Sequence, residues 1–99
     1  MATVATTTAL VYSNAALSVG DNTIVNGTAG KRIYITQYAV TSSVPVTIQS
    51  TDKTVKVVTL DVAGTSGATS SAVLPLGVGV IATVTSAGTA SGYLMGFMA

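Results

Sequence analysis

The sequence predicts an all-β protein, a small jelly-roll-like or Greek-key β-sandwich of seven to eight strands, with residues 1–99 forming a single domain. Three observations predict it. Apolar residues alternate with polar ones at a period of two through most of the chain. No segment sustains the i, i+3, i+4, i+7 stripe of an amphipathic helix. Clusters of Gly, Ser, Thr, Asn and Asp cut the alternating runs about every 8–12 residues, the spacing of sandwiches and barrels.

The elements follow in order. "TVATTTALVY" is β-prone but irregular in parity, so residues 1–20 read equally as an N-terminal arm or a first strand. "NTIV" is a short strand, followed by Asn26-Gly27, which favours positive φ in a tight turn, and by Gly30, which launches the next strand. In "KRIYITQYAV", Ile33, Ile35 and Ala39 share one face, with Arg32, Tyr34, Thr36 and Tyr38 on the other. "VPVTIQS" turns Val44, Val46 and Ile48 inward and Pro45, Thr47 and Gln49 outward. Pro45 lacks an N–H and therefore belongs at a strand start or edge.

"TVKVVTLDV" places Val55 and Val57 on one face and Val58, Leu60 and Val62 on the other, a phase switch that signals a bulge or a crossing between sheets. "AVLPLGVGVIATVT" sets Leu74, Leu76, Val78, Val80, Ala82 and Val84 on one parity, which predicts two short strands bent around Pro75 to Gly79. "GYLMGFMA" opposes Tyr93, Met95 and Phe97 to Leu94 and Met98. It is apolar on both faces, as suits a central strand or one covered by a neighbouring subunit. "AGTSGATSS" and "TSAGTASG" read as flexible connectors, and Ser42-Ser43 and Thr51-Asp52-Lys53 as turns.

Composition narrows the function. Only 7% of residues are charged, against about 25% in an average soluble domain, while 48% are hydrophobic. So weakly charged a surface gives copies little mutual repulsion, which favours a life in contact with other protein. A net charge of +1 indicates neither a nucleic-acid groove nor an anionic membrane surface. The N-terminal stretch shows no basic region ahead of its apolar residues, so it does not read as a secretory signal. Residues 62–99 are uncharged, yet their longest apolar run, "GVGVIATV", falls far short of the ~20 residues of a spanning helix.

Catalytic chemistry has few residues to draw on. There is no His, Glu or Cys, and the three aspartates, Asp21, Asp52 and Asp61, read as turn or solvated groups rather than a catalytic pair. No clustered oxygen ligands suggest a calcium loop, and "GTAGKR" lacks the spacing of a phosphate cradle. The sequence thus predicts a non-enzyme with no cofactor, metal or small-molecule substrate. Asn26-Gly27-Thr28 matches a glycosylation acceptor, a pattern common by chance. Lys31, Lys53 and Lys56 read as solvated charges that protect edges. Among the four tyrosines, Tyr12, Tyr34, Tyr38 and Tyr93, the spacing of Arg32, Tyr34 and Tyr38 by two and four residues suggests a protein contact of the residue types that dominate interface energetics.

"AGKRIYITQYAVTSSVPVTIQS", followed by "LPLGVGVIATVTSAGTASGYLMGF", resembles small all-β bacteriophage virion proteins of the capsid decoration, cement or head-fibre type. The likeness spans residues 22–98 and lacks the "GWF" loop associated with many such chains. It implies a structural protein on the capsid surface of the virion that binds and reinforces a shell of major capsid proteins, as a homo-oligomer and preferably a trimer. The interface residues expected on this reading are Lys31, Arg32, Tyr34, Tyr38, Tyr93, Met95 and Phe97, with Lys31 attracted to acidic capsid surface. The alternative is a tail- or fibre-associated domain that binds host-surface carbohydrate, for which Tyr38 beside Asp52 is the only hint.

Overall fold

The computed structural model describes the backbone of residues 6–99 and the side chains of residues 16–65 and 72–99. The described residues form eight strands and no helix: β1 Thr6–Leu17, β2 Gly20–Val25, β3 Ile33–Ser42, β4 Val46–Ser50, β5 Lys56–Leu60, β6 Gly64–Val73, β7 Val80–Val84 and β8 Gly88–Met98. They build two four-stranded sheets, the first in the order β1-β8-β3-β6 and the second in the order β2-β7-β4-β5. Every pairing is antiparallel. Only the β4–β5 connection stays within a sheet; all others cross between the two, which is the double Greek key of a jelly roll.

The alternating positions meet between the sheets. Val40, Leu94, Ile33 and Ile35 from the first sheet pack with Ile48, Val46, Val80, Ala82, Val84 and Val58 from the second, and Leu74 closes the layer with no exposed surface. Pro45 precedes β4 and is exposed, so its missing N–H costs no ladder bond. The phase switch in "TVKVVTLDV" is a bulge: the β4–β5 register steps from Ile48↔Val58 to Gln49↔Lys56, leaving Val57 unpaired. The chain then crosses to the first sheet through residues 61–63, where Val62 is 72% exposed rather than aligned with Val58.

Four expectations are corrected. The run "KRIYITQYAV" does not keep one parity, because β3 bulges at Thr36: Ile35 pairs with Gly96, but Gln37 pairs with Met95. Thr36 is exposed and its Oγ1 donates to the Met95 carbonyl (3.1 Å). Past the bulge the faces exchange. Tyr38, in register with buried Leu94, packs on the core, and Val40 replaces Ala39 as the inward residue.

The segments read as connectors are largely strand. Residues 64–73 form β6 and residues 88–91 begin β8, because long partners on β3 supply the ladder that Gly-, Ser- and Ala-rich sequence does not favour by itself. Leu76 is 56% exposed, since the chain turns away from the core between β6 and β7. Gly27 has no positive φ. It is needed because a Cβ there would lie 2.2 Å from the Gly77 carbonyl oxygen. The turn itself falls at Thr28–Lys31, where the Lys31 N–H donates to the Thr28 carbonyl (3.1 Å) and Gly30 takes φ +79°, as a type II turn requires.

Candidate functional site

The outer face of the first sheet gathers residues from distant parts of the sequence. Tyr34 of β3 and Phe97 of β8 are directly paired, and their rings stack with centroids 4.8 Å apart and planes 13° from parallel. Val73 of β6 pairs with Tyr34 on the other side and is 45% exposed. Met95 is in register with Gln37, and Tyr93 with Ala39. The Gln37 amide nitrogen donates to the Tyr93 hydroxyl (2.9 Å), so the polar end of that tyrosine is held within the face. All four apolar side chains, Tyr34, Tyr93, Met95 and Phe97, are partly exposed. They form one strip along β3 and β8.

One end of the sandwich collects the charge. The β2–β3, β4–β5 and β6–β7 connections interlock there. The Gly77 N–H donates to the Lys31 carbonyl (2.8 Å), the Thr51 N–H to the Gly79 carbonyl (3.0 Å), and the Gly79 N–H to Thr51 Oγ1 (3.2 Å). The Arg32 N–H donates to the Ala99 carbonyl (2.7 Å), which extends the β3–β8 ladder into this end. Lys31, Arg32, Lys53 and Lys56, all the cations of the chain, lie in or beside these connections together with exposed Leu76. Among the described residues only Lys53 forms an ion pair, with Asp21 at 3.3 Å.

The outer face of the second sheet is different. Thr59, Thr47, Thr83 and Asp21 form a row across all four strands. Thr83 Oγ1 donates to Asp21 Oδ1 (2.8 Å) and accepts from the Gln49 amide (2.9 Å). This hydrogen bond from Thr83, aided by Lys53, holds the Asp21 carboxyl below the usual aspartate range. The next row pairs Ile81 with Gln49, which are only 4% and 5% exposed. A shallow depression of about 200 Å³ on this face is lined by Pro45, Thr47, Thr59, Asp61, Thr83 and Thr85, with no aromatic ring.

Of the residues expected at an interface, the fold brings Tyr34, Tyr93, Met95 and Phe97 together and sets Lys31 and Arg32 at the end of their strip. Tyr38 is excluded from it by the Thr36 bulge. Asp52, expected beside it, has its Oδ1 accepting from Ser50 Oγ (2.6 Å), Thr54 Oγ1 (2.8 Å) and the Thr54 N–H (3.2 Å). Those bonds, that from Ser50 foremost, lower the Asp52 pKa and make it a turn residue. The side chain of Tyr12 lies outside the described residues. Val73, Gln37 and Leu76 were not singled out from sequence; only the β6–β3 pairing, the bulge and the outward turn of the β6–β7 connection bring them to these surfaces.

Among the described residues no group of three metal-ligating side chains converges. An apolar pocket of about 40 Å³ is lined by Val25, Ile33, Ile35, Leu94, Met95, Phe97 and Met98. Compared with known families, curated proteins and solved structures, the chain matches none.

Proposed function

We propose that this chain is a structural virion protein of the capsid decoration type, a homo-oligomer that binds the shell of major capsid proteins from outside and reinforces it. The observation that carries the reading is the partly exposed aromatic and methionine strip of Tyr34, Phe97, Met95 and Tyr93, ending at Lys31 and Arg32. Rigid aromatic area beside an arginine is the composition of protein contacts rather than of a solvated face. The likeness of residues 22–98 to small phage decoration proteins supplies the partner. In this role the single contact is modest, and several copies attached together hold far better than one. Lys31 and Arg32 meet acidic residues of the shell.

Labelling the protein in purified particles tests the location, and signal confined to a tail or fibre would overturn the reading. Attachment is tested with Lys31→Ala/Arg32→Ala. The double variant folds normally and binds decoration-stripped shells more weakly, and the parent's binding falls as salt rises past ~0.15 M, where charges screen over about 8 Å. Equal binding of variant and parent would remove the basic end from the contact. The carbohydrate alternative gains no comparable observation, since Tyr38 faces the core and the Thr-lined depression has no aromatic platform.

A further inference from the structure

We infer that the outer face of the first sheet is where a second copy of this chain sits, packed face to face about a twofold axis. The inference deepens the homo-oligomer part of the function proposed above and is independent of what the oligomer attaches to.

Three properties of the face lead there. The first is charge. None of β1, β3, β6 and β8 contains an Asp, Glu, Lys or Arg, whereas in the second sheet both edge strands carry one, Asp21 on β2 and Lys56 on β5. In a twofold contact a residue at the axis meets itself, so a charge there would face its own sign, which destabilises directly opposed pairs. The four strands of this face meet their own copy with no such clash, since Lys31 and Arg32 lie only at its end. Away from that end the face offers no charge with which to orient a charged partner, and an uncharged sheet face like itself fits it.

The second is area. Four strands about 4.8 Å apart and roughly nine residues long at ~3.3 Å each give a footprint of roughly 600 Å². Two such footprints bury on the order of 1,200 Å², where stable specific interfaces begin.

The third is that several described polar groups of the face are already engaged within the sheet. Gln37 donates to Tyr93, Thr41 Oγ1 lies 2.9 Å from Thr65 Oγ1, and Thr36 donates to the Met95 carbonyl. Covering the face leaves these bonds intact, which limits the desolvation cost that burdens polar interfaces. The two first sheets then lie about 10 Å apart, with their strands within about 30°, as in any aligned sheet packing.

Light scattering on the purified protein at micromolar concentration is expected to give twice the monomer mass. Met95→Lys and Tyr93→Lys each bury two cations in the uncharged contact and are expected to halve that mass, with the β-sheet circular dichroism retained. A second readout stands even if a lysine variant misfolds. The chain has no cysteine, so Met95→Cys treated with a short bis-maleimide should give a cross-linked pair, while Thr47→Cys on the second sheet should not. A monomeric parent, a three-copy mass, or efficient cross-linking through Thr47→Cys alone would overturn the inference. None of these measurements involves a shell. A dimer that fails to bind shells would sink the decoration reading alone, and a monomer that binds them would sink only the face-to-face pairing.

Discussion

Both sheets contribute to one core but present different kinds of surface outward. On the second sheet, Thr47, Thr59, Thr83 and Asp21 form a polar row, Thr83 is hydrogen-bonded to Asp21 and Gln49, and Lys53 pairs with Asp21. On the first sheet, Tyr34, Phe97, Met95, Tyr93 and Val73 occupy the corresponding positions, and no strand carries a charge. Inward packing imposes the same alternation on both sheets, so it does not account for the difference. Hydroxyls and an ion pair suit a face that stays in water, and a stacked aromatic pair beside methionine suits one covered by protein.

The layer common to both sheets should give the largest effect. Ile48 is 1% exposed at the centre of the second sheet's inner face. Ile48→Asp buries an unpaired carboxylate at a cost of several kcal/mol and is expected to leave almost no soluble folded protein. A variant that melts like the parent would mean that the sheets do not meet there.

Next comes the pair that the Thr36 bulge separates. Tyr38→Ala opens a hole against Leu94 and should cost ~2–3 kcal/mol, which for a domain of this size lowers the melting temperature by roughly 10–20 °C. Tyr34→Ala removes an outward ring and in dilute protein should cost less than ~1 kcal/mol. The reverse ranking would restore a single parity through β3 and undo the contrast between the two faces.

On the solvated face, Thr83→Val takes away the acceptor of the Gln49 amide and the donor to Asp21. With Gln49 only 5% exposed, the loss should be ~1–2 kcal/mol in denaturant midpoints, and Thr83→Ser should recover most of it. Thr47→Val, which removes a hydroxyl from the same row, is expected to change stability by less than either.

The smallest effect concerns acid. Asp21 and Asp52 have folded pKa values below those of the unfolded chain, through hydrogen bonds from Thr83 and Ser50 respectively. Their stabilisation is therefore fully present above the unfolded aspartate pKa of about 4 and is lost as pH falls through the lower folded values. The melting temperature should be flat from pH 7 to 5 and decline below about pH 4. Asp21→Asn and Asp52→Asn should each flatten the decline, and an unchanged decline in both would assign it to other groups.

Much of this architecture was legible in local sequence. The inward residues of β4 and β7 and the shared face of Tyr93, Met95 and Phe97 follow from period-two alternation, and Pro45, Gly30 and Asp52 mark the points where runs start or turn. Two features were not legible. "GTSGATSSAV" has the composition of a linker and becomes a ten-residue strand because β3 lies alongside it. The outward positions of Gln37 and Ala39 depend on one extra residue, Thr36, opposite β8, and a bulge is a property of two strands rather than one.

By itself, then, the sequence determined that this is an all-β sandwich with a dry interior and scarcely any charge, because alternation, turn chemistry and composition act over a few residues at a time. The tertiary structure decided which faces the tyrosines occupy, that Tyr34 stacks on Phe97 sixty-three residues away, and that all four cations gather at one end. Each of these depends on the jelly-roll order of strands, in which β3 lies between β6 and β8. That order is set by the burial of two whole sheets against each other, and no local run of residues specifies it.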